Sequence, residues 1–455
     1  MKALESWEKI CAAFLLCAAT AIAAPAQVFT TLQNMKPSTG TYPAEPFVQE
    51  QDGNLYTSTA NGGMHDWGTI LGMTPSGELT GAFSFNGVAG DGNTPLVFGN
   101  DGNLYGTYFN TYTGVPGGIF RITTTGTYTV VHEFDTVDGY APLPSELMAV
   151  HPNGTLYGST SAGGTYGKGT IFKLTMTGTF TSLFSFNGTN GSLPSGLTLG
   201  NDGNFYGTTS EGGSDGGGTF FKITPAGELT TLYNFAGIYN YPATQGIALG
   251  PDGNFYGSTP IGGANKDGTI FRITPTGALT TLYTFSGADG ANPYSKLIVA
   301  DGKVYGVTYR GGETNYGTIF SLIGNTLTTL HSFDYTSGGD PYGLMQHTNG
   351  TFYGTTSTGG TGGGDSGTFY SLNLGLAPFA ALRPSVGVAG MTIGILGQGF
   401  AGTTSVSFNG TAASFTVKSD TFVRAVVPDG ATSGLVTVTS PSGTLTSDVP
   451  FRVIP

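Results

Sequence analysis

Few residues in this chain combine the chemical types and the spacing that a binding or catalytic site requires. Three consecutive residues, His65-Asp66-Trp67, supply an imidazole, a carboxylate and an indole, a combination that could bind and stack on a sugar ring. Arg310 and Glu313 place opposite charges three positions apart in a second polar stretch. We therefore take His65, Asp66, Trp67, Arg310 and Glu313 as the candidate ligand-binding residues.

Catalytic chemistry has less support. His132-Glu133 with Asp135 and Asp138 offers carboxylates for acid–base work. The chain contains only five histidines, however, and they are dispersed. No nucleophile elbow, phosphate loop or metal-binding helix motif occurs. Both cysteines, Cys11 and Cys17, lie near the N-terminus in a segment that we expect to be removed, so we predict no catalytic residues.

A metal site is also weakly indicated. Repeated aspartates precede glycine in short turns, where Asp is ordinary turn chemistry; they are Asp52, Asp101, Asp202, Asp252 and Asp301. Calcium needs six or more converging oxygens. Loop acids are better candidates, although no Asp-x-Asp-x-Asp spacing is present; they are Asp91, Asp138, Asp215, Asp267, Asp289 and Asp340. We predict no metal or other cofactor and keep calcium binding as the open alternative.

The elements that must position these residues belong to an internal repeat. A repeated aromatic-Tyr or Leu-Tyr phrase has its tyrosine at positions 56, 105, 157, 206, 256, 305 and 353. The resulting period of about 50 residues is typical of propellers or solenoids. One unit predicts four short strands, which in the fourth repeat are Gly196–Leu199, Phe205–Thr209, Thr219–Ile223 and Glu228–Phe235. Four antiparallel strands per repeat, without helical periodicity, indicate the blade of an all-β propeller.

Seven repeats are counted from the glycine that precedes the third strand, at Gly68, Gly118, Gly169, Gly218, Gly268, Gly317 and Gly367. The last repeat has no fourth strand of its own. Val28–Leu32 matches the fourth-strand phrase and has no strands before it. We predict that it pairs with Thr368–Leu372 and closes a seven-bladed ring, because an open ring would leave two sheet edges unpaired. We interpret the repeated tyrosines as packing residues.

Strand direction decides which connections share a face. The tight Asp-Gly-Asn and Thr-Pro-x-Gly turns are expected on one face, which we call the turn face. The longer connections from second to third strand, and those between repeats, are expected on the other, which we call the loop face. Loops on a rigid scaffold commonly carry function. All five candidate binding residues fall on the loop face.

The repeated phrase resembles a known family. Asp202-Gly203-Asn204-Phe205-Tyr206-Gly207, followed by Gly218-Thr219-Phe220-Phe221 and Leu229-Thr230-Thr231-Leu232, is similar to the GloVer (Gloeo/Verruco-type) tandem repeat of secreted bacterial proteins. The resemblance covers about residues 28–375 and implies an extracellular propeller-like array. It implies no catalytic residues.

Different patterns flank the repeats. Residues 1–26 read as a signal peptide, with an apolar run at Ile10–Ala23 that is too short to span a membrane. After Leu374 the repeat ends, and short predicted strands separated by Gly, Asn, Ser and Pro indicate a β-sandwich over 376–455. Gly397-Gln398-Gly399-Phe400 and Val406-Ser407-Phe408-Asn409-Gly410 resemble an IPT/TIG domain, which has an immunoglobulin-like fold. We therefore place the propeller at 27–375.

Composition restricts the partners. The chain has a net charge of −12 with only 10% charged residues, and removal of 1–26 takes away two basic and two acidic residues, leaving that charge unchanged. Such a chain disfavours nucleic acid and anionic membranes. We interpret the protein as a secreted or cell-surface monomer that binds an extracellular glycan or protein ligand through the loop face and is not an enzyme. The alternatives are a polysaccharide lyase or glycoside hydrolase built on the propeller, and a purely structural cell-surface component.

Overall fold

The protein is described by a computed structural model that covers residues 27–454, apart from 44, 88–93, 110–116, 141–147, 238–241, 243–245 and 363–364. The predicted signal segment 1–26 and the calcium candidate Asp91 lie outside the described residues. Every regular element within them is a β-strand. The described chain contains no helix with the length and hydrophobicity needed to cross a membrane.

Each repeat forms one antiparallel sheet whose strands follow the chain order. The first sheet consists of Val48–Gln49, Leu55–Thr59, Thr69–Met73 and Leu79–Ser84. The second consists of Val97–Phe98, Leu104–Tyr108, Gly118–Ile122 and Tyr128–Glu133. The third consists of Ala149–Val150, Leu156–Thr160, Thr170–Leu174 and Phe180–Ser185. The fourth consists of Thr198–Leu199, Phe205–Glu211, Gly216–Ile223 and Leu229–Ala236, with Ser192–Pro194 as an extra strand beside Phe205–Glu211.

The remaining repeats follow the same plan. The fifth sheet consists of Ala248–Leu249, Phe255–Thr259, Thr269–Ile273 and Leu279–Thr284. The sixth consists of Ile298–Ala300, Lys303–Thr308, Thr318–Ile323 and Thr326–Ser332. The seventh consists of Gly339–Gln346, Phe352–Thr358, Thr368–Asn373 and the N-terminal strand Val28–Asn34.

The N-terminal strand supplies the outer edge of the seventh sheet. Val28 lies opposite Asn373 and Asn34 opposite Thr368, with a register shift between Thr31 and Gln33. This is the pairing that the incomplete seventh repeat predicts. Phe29 on this strand stacks on His331 of the sixth sheet, with ring centroids 3.7 Å apart. The strand therefore contributes apolar contacts as well as backbone hydrogen bonds.

Alternation along each strand sends side chains to two neighbouring sheets. In the third strand of the fifth sheet, Ile270 joins a hydrophobic cluster shared with the sixth sheet, whereas Phe271 and Ile273 join a cluster shared with the fourth. This division follows from the two-residue period of a strand. Similar clusters join all seven successive pairs of described sheets, including Tyr353 and Phe369 of the seventh with Leu55 of the first. Every sheet thus has two neighbours.

The glycine before the third strand is required by geometry. Gly268 has φ +103°, and a Cβ there would lie 2.4 Å from Pro293 Cδ. In the second repeat this role belongs to Gly117, with φ +91°, and not to Gly118 as the sequence count assumed. Gly118 instead takes the place of the strand's first threonine and pairs with Tyr108. The two adjacent glycines made the sequence alignment ambiguous by one residue.

The repeated Asp and Tyr residues hold the tight turns. Tyr206 donates a hydrogen bond from its hydroxyl to Asp202 Oδ2 at 3.0 Å, and the Asn204 amide bonds the same carboxylate. Tyr105 and Asp101 form the same bond at 2.8 Å. Most of the repeated tyrosines are almost fully buried between sheets. Their packing explains their repetition without a ligand.

The C-terminal segment forms two four-stranded sheets and one strand pair. One sheet has the order Ala381–Arg383, Thr392–Leu396, Phe422–Val426 and Phe415–Ser419. The other has the order Thr411–Ala412, Ser405–Phe408, Val436–Ser440 and Gly443–Thr446. Val386–Gly387 pairs in parallel with Arg452–Val453. A single core containing Ile395, Phe408, Val423 and Val438 lies between the two larger sheets.

This C-terminal segment rests on the turn face. Thr421 donates a hydrogen bond to the Gln51 carbonyl at 2.6 Å, and Gln398 Nε2 donates to Thr348 Oγ1 at 2.9 Å. Gln51 belongs to a tight turn of the first sheet and Thr348 to one of the seventh. The loop face therefore lies on the side away from these contacts.

Deletion of residues 27–32 tests the contribution of the N-terminal strand. The truncated protein should lose roughly 3–6 kcal/mol of unfolding free energy, comparable to the burial of two or three large apolar side chains. It should also self-associate, because Thr368–Asn373 becomes an exposed sheet edge. Thermal unfolding and gel filtration measure both effects, and Thr30→Ala, at an exposed position of the same strand, is the control. An unchanged melting temperature and monomeric state would contradict this role.

Candidate functional site

The predicted residues of the first sheet lie in the loop between its second and third strands. Asp66 has φ +62°, and its Oδ1 accepts a hydrogen bond from the Gly62 amide at 2.9 Å. Asn315 and Asp365 accept the same bond from Gly311 and Gly359 in the sixth and seventh sheets. Asp66 thus shapes its loop, as its counterparts do. His65 beside it is exposed.

Trp67 is half-buried and packs against the hydrophobic cluster between the first and second sheets. Its indole also lies against Gly87, where a Cβ would come within 2.7 Å of the ring. Part of the ring surface is therefore used for packing between sheets. The contacts of Trp67 explain its presence at the start of the third strand without a ligand.

Arg310 and Glu313 occupy the equivalent loop of the sixth sheet. Arg310 Nη1 lies 2.8 Å from Asp340 Oδ1, and the guanidinium carbon lies 4.8 Å from the centre of the Tyr309 ring. The approach to Oδ1 is too oblique for a hydrogen bond, so charge attraction holds the pair. Glu313 is exposed, and its backbone amide donates to Ser332 Oγ at 2.9 Å. Met64 makes the same backbone contact in the first sheet.

The structure does not assemble the five predicted residues into one site. The contacts of His65, Asp66 and Trp67 lie within and between the first and second sheets. The contact between Arg310 and Asp340 connects the loop of the sixth sheet to the first strand of the seventh. Of the five, Arg310 alone lies within a polar and aromatic group.

That group contains three tyrosines that the sequence reasoning missed. Tyr309 packs edge to face against Tyr294, with centroids 5.9 Å apart, and against Tyr342, with centroids 5.8 Å apart. All three rings are half-buried. Together with Arg310 and Asp340 they form what we call the tyrosine row. A comparison of the repeats could have found Tyr309, because no other repeat has tyrosine at this position. The equivalent residues are Ala60, Phe109, Ser161, Ser210, Pro260 and Ser357.

Buried carboxyls adjoin the tyrosine row. Burial raises the pKa of Asp340, although the nearby Arg310 charge opposes that rise. Burial also raises the pKa of Glu45 well above its usual value, and Glu45 Oε2 has no hydrogen-bond partner among the described residues. The pKa of Tyr342 is raised to about 12, first by burial and then by the charge of Glu45. The row therefore combines hydroxyl groups, a cation and the buried carboxyl of Asp340, and the buried carboxyl of Glu45 lies beside it.

The other acidic candidates are engaged separately. Asp138 Oδ2 lies 2.9 Å from His132 Nε2, and the His132 ring stacks on Phe180 with centroids 3.7 Å apart. Asp289 accepts a hydrogen bond from the Tyr283 hydroxyl. Within the described residues no group of three or more His, Cys, Asp or Glu side chains could hold a metal ion.

Known structures define the class of protein. A virginiamycin B lyase from Staphylococcus aureus, catalytically inactive and determined with quinupristin, aligns with TM-score 0.53 and 18% identity over 76% of this chain and 99% of its own. A fungal alcohol oxidase in complex with copper aligns with TM-score 0.52 and 12% identity over 94% of this chain and 99% of its own. A putative gluconolactonase gives TM-score 0.41 and 13% identity over 78% of this chain and 94% of its own. The protein is an all-β protein of propeller-like fold.

The sequence identifies the family. Residues 21–201, 143–303 and 193–417 each match the Gloeobacter/Verrucomicrobia repeat. Because these matches cover well over half of the chain, the protein belongs to this repeat family. No curated protein matches the chain by sequence.

The Arg310–Asp340 pair can be tested by a double-mutant cycle. Arg310→Ala should lower stability by roughly 1–3 kcal/mol, because it leaves the buried Asp340 carboxylate without its compensating charge. Adding Asp340→Asn should recover much of this loss, since the amide carries no charge. Denaturant unfolding measures the four proteins, and Glu313→Ala on the same loop should stay within about 0.5 kcal/mol of the parent. Additive losses in the double variant would show that the two side chains do not interact.

Proposed function

We propose that this protein is an exported, non-enzymatic binding protein that holds an extracellular glycan on the loop face of a seven-bladed propeller. The tyrosine row is the observation that carries this proposal. Of the five residues predicted from the sequence, the proposal gives a binding role to Arg310 alone. It assigns no ligand contact to His65, Asp66, Trp67 or Glu313. Tyr294, Tyr309, Tyr342 and Asp340 are added.

Two structural features support the propeller architecture. Seven sheets share one strand order, and the hydrophobic cluster containing Tyr353 and Leu55 joins the seventh sheet to the first. The likeness to the virginiamycin B lyase covers 99% of that chain. We assign 27–375 to the propeller and 376–455 to an immunoglobulin-like domain of IPT/TIG type, whose two packed sheets fit a sandwich. We keep 1–26 as the signal peptide, and with it the secreted or cell-surface location.

The chemistry of the tyrosine row suits a sugar. All three tyrosines keep part of their surface accessible. An aromatic ring can pack on the C–H face of a pyranose while its hydroxyl makes hydrogen bonds. Arg310 and Asp340 add a fixed donor and a fixed acceptor, which adjacent sugar hydroxyls can bridge. These features favour a neutral or weakly charged glycan.

One observation favours the rival enzymatic function. Glu45 is a buried carboxyl with a raised pKa beside Tyr342, and general acids in glycoside cleavage have raised pKa values. Cleavage requires a second carboxylate on the opposite side of the scissile bond. Asp340 is the candidate for this second carboxylate, but it already forms an ion pair with Arg310. Binding without cleavage therefore remains the proposal.

A glycan array, with and without calcium, tests the binding function. The protein without residues 1–26 should bind a subset of glycans, and Tyr309→Ala should weaken that binding by about tenfold or more, as the loss of a stacking aromatic anchor commonly does. Tyr166→Ala is the matched control, because Tyr166 is 60% exposed on the equivalent loop of the third sheet. The control should bind as the parent does.

The outcomes separate the functions. Equal binding by the parent and by a folded Tyr309→Ala variant would refute the site. If no glycan binds, the glycan proposal fails and a protein ligand or a structural role takes its place. Shortened glycans in the supernatant, abolished by Glu45→Gln, would establish the enzyme instead.

A further inference from the structure

A cavity of about 440 Å³ lies where the first strands of the sheets face one another. Its wall comes mainly from the first strands of the first, sixth and seventh sheets, and the C-terminal segment contributes Phe379, Ala381, Arg383 and Asp448. We call this space the central cavity. Its lining differs from the tyrosine row, since none of the three tyrosines borders it.

Lys296 breaks the repeat pattern inside this cavity. The equivalent position holds Pro46, Pro95, Gly196, Gly246 or Gly343 in other repeats. Lys296 Nζ lies 3.5 Å from Thr198 Oγ1, although Lys296 precedes the first strand of the sixth sheet and Thr198 belongs to the first strand of the fourth. The amine therefore extends past the fifth sheet, along the space that the first strands surround.

A second cation comes from the C-terminal segment. Arg383 ends the strand Ala381–Arg383 and borders both the central cavity and a neighbouring cavity of about 250 Å³. Arg383 is exposed, and it borders these spaces without being sealed inside them. Burial and, as a smaller effect, the positive charge of Arg383 together lower the pKa of Lys296 to about 8. Two cations therefore act on each other beside one cavity.

Asp448 supplies the negative charge nearest to Arg383. Burial raises the pKa of Asp448, and Arg383 opposes that rise. No ion pair within 4.0 Å joins the two among the described residues. Lys296, Arg383 and Asp448 are the charged residues that line the central cavity, so two of its three charged groups are cations, although the protein as a whole carries −12.

We propose that the central cavity is a binding site for a small organic carboxylate with an apolar body, whose carboxylate lies between Lys296 and Arg383. An anion there offsets the repulsion of two cations that border the same cavity. The remaining wall is largely aliphatic and includes Val48, Ile298, Val299 and Met345, which suits a hydrocarbon chain better than a polyhydroxylated sugar. The volume lies within the usual range for small-molecule sites. Because Arg383 belongs to the C-terminal segment, both parts of the chain build the site.

Octanoate is a suitable probe, and 1-octanol is its uncharged counterpart. Isothermal titration of the protein without residues 1–26 should show octanoate binding that 1-octanol does not match. Lys296→Met and Arg383→Met should each weaken octanoate binding by about tenfold or more, the expected effect of losing a charge-assisted hydrogen bond. Lys303→Met removes a lysine that does not border the central cavity and should have no effect. Tyr309→Ala should also leave octanoate binding unchanged, which separates this site from the glycan site.

Stability provides a second measurement. Octanoate should raise the melting temperature of the parent and should fail to raise that of Lys296→Met. Arg383→Lys, which keeps the charge, should retain most of the octanoate affinity and covers the case in which Arg383→Met does not fold. The proposal is overturned if millimolar octanoate does not bind the parent, if 1-octanol binds equally well, or if the folded charge variants bind as the parent does.

Discussion

Each sheet of this protein has two apolar faces, and neither face can be left in water. Phe271 and Ile273 point to one neighbouring sheet and Ile270 to the other, so a sheet is stable only between two others. A row of such sheets would still have two uncovered ends. Packing of Tyr353 and Phe369 of the seventh sheet against Leu55 of the first removes both ends at once. The central cavity depends on this packing, because residues of both the first and the seventh sheet line it.

The sequence predicts the repeated structure well because the same physical constraints act in each repeat. In the fourth sheet, the strand predicted as Phe205–Thr209 extends over Phe205–Glu211. The strand predicted as Thr219–Ile223 extends over Gly216–Ile223. The errors fall where the constraint is weak. Gly117 and Gly118 are adjacent and chemically identical, so only the backbone angle of Gly117 distinguishes them. Edge strands such as Ser192–Pro194 and Gly443–Thr446 are short and partly polar, which leaves little hydrophobic pattern to detect.

The candidate binding residues were harder to predict than the strands. They occur at positions where one repeat differs from the others, so the repeat pattern does not predict them. The sequence singled out Arg310, but its partner Asp340 stood only among possible calcium ligands. The ion pair depends on the loop geometry between the sixth and seventh sheets, which spacing along the chain does not give. The sequence analysis did not single out Tyr309 or Lys296 at all. Many tyrosines in this chain are packing residues, so Tyr309 did not stand out. The single lysine at position 296, just before a first strand, stands out only when the same position is compared in the other repeats.

Both proposed sites thus arise where individual repeats depart from the common sequence. The tyrosine row lies in the connections of the sixth repeat and on the first strand of the seventh sheet. The cations of the central cavity come from the sixth repeat and from the C-terminal segment. A scaffold of equivalent sheets can accept such departures, because the hydrophobic clusters between sheets are formed by other side chains.

Hydrogen exchange at Phe29–Asn34 tests the closure of the ring most directly. If this strand is an integral part of the seventh sheet, its amides that bond to Thr368–Asn373 should exchange as slowly as those of the fourth strand of the fifth sheet, Leu279–Thr284. Mass spectrometry of peptic fragments from the native protein gives both rates in one experiment. Exchange of Phe29–Asn34 at the rate of an unstructured peptide, while Leu279–Thr284 stays protected, would contradict the account.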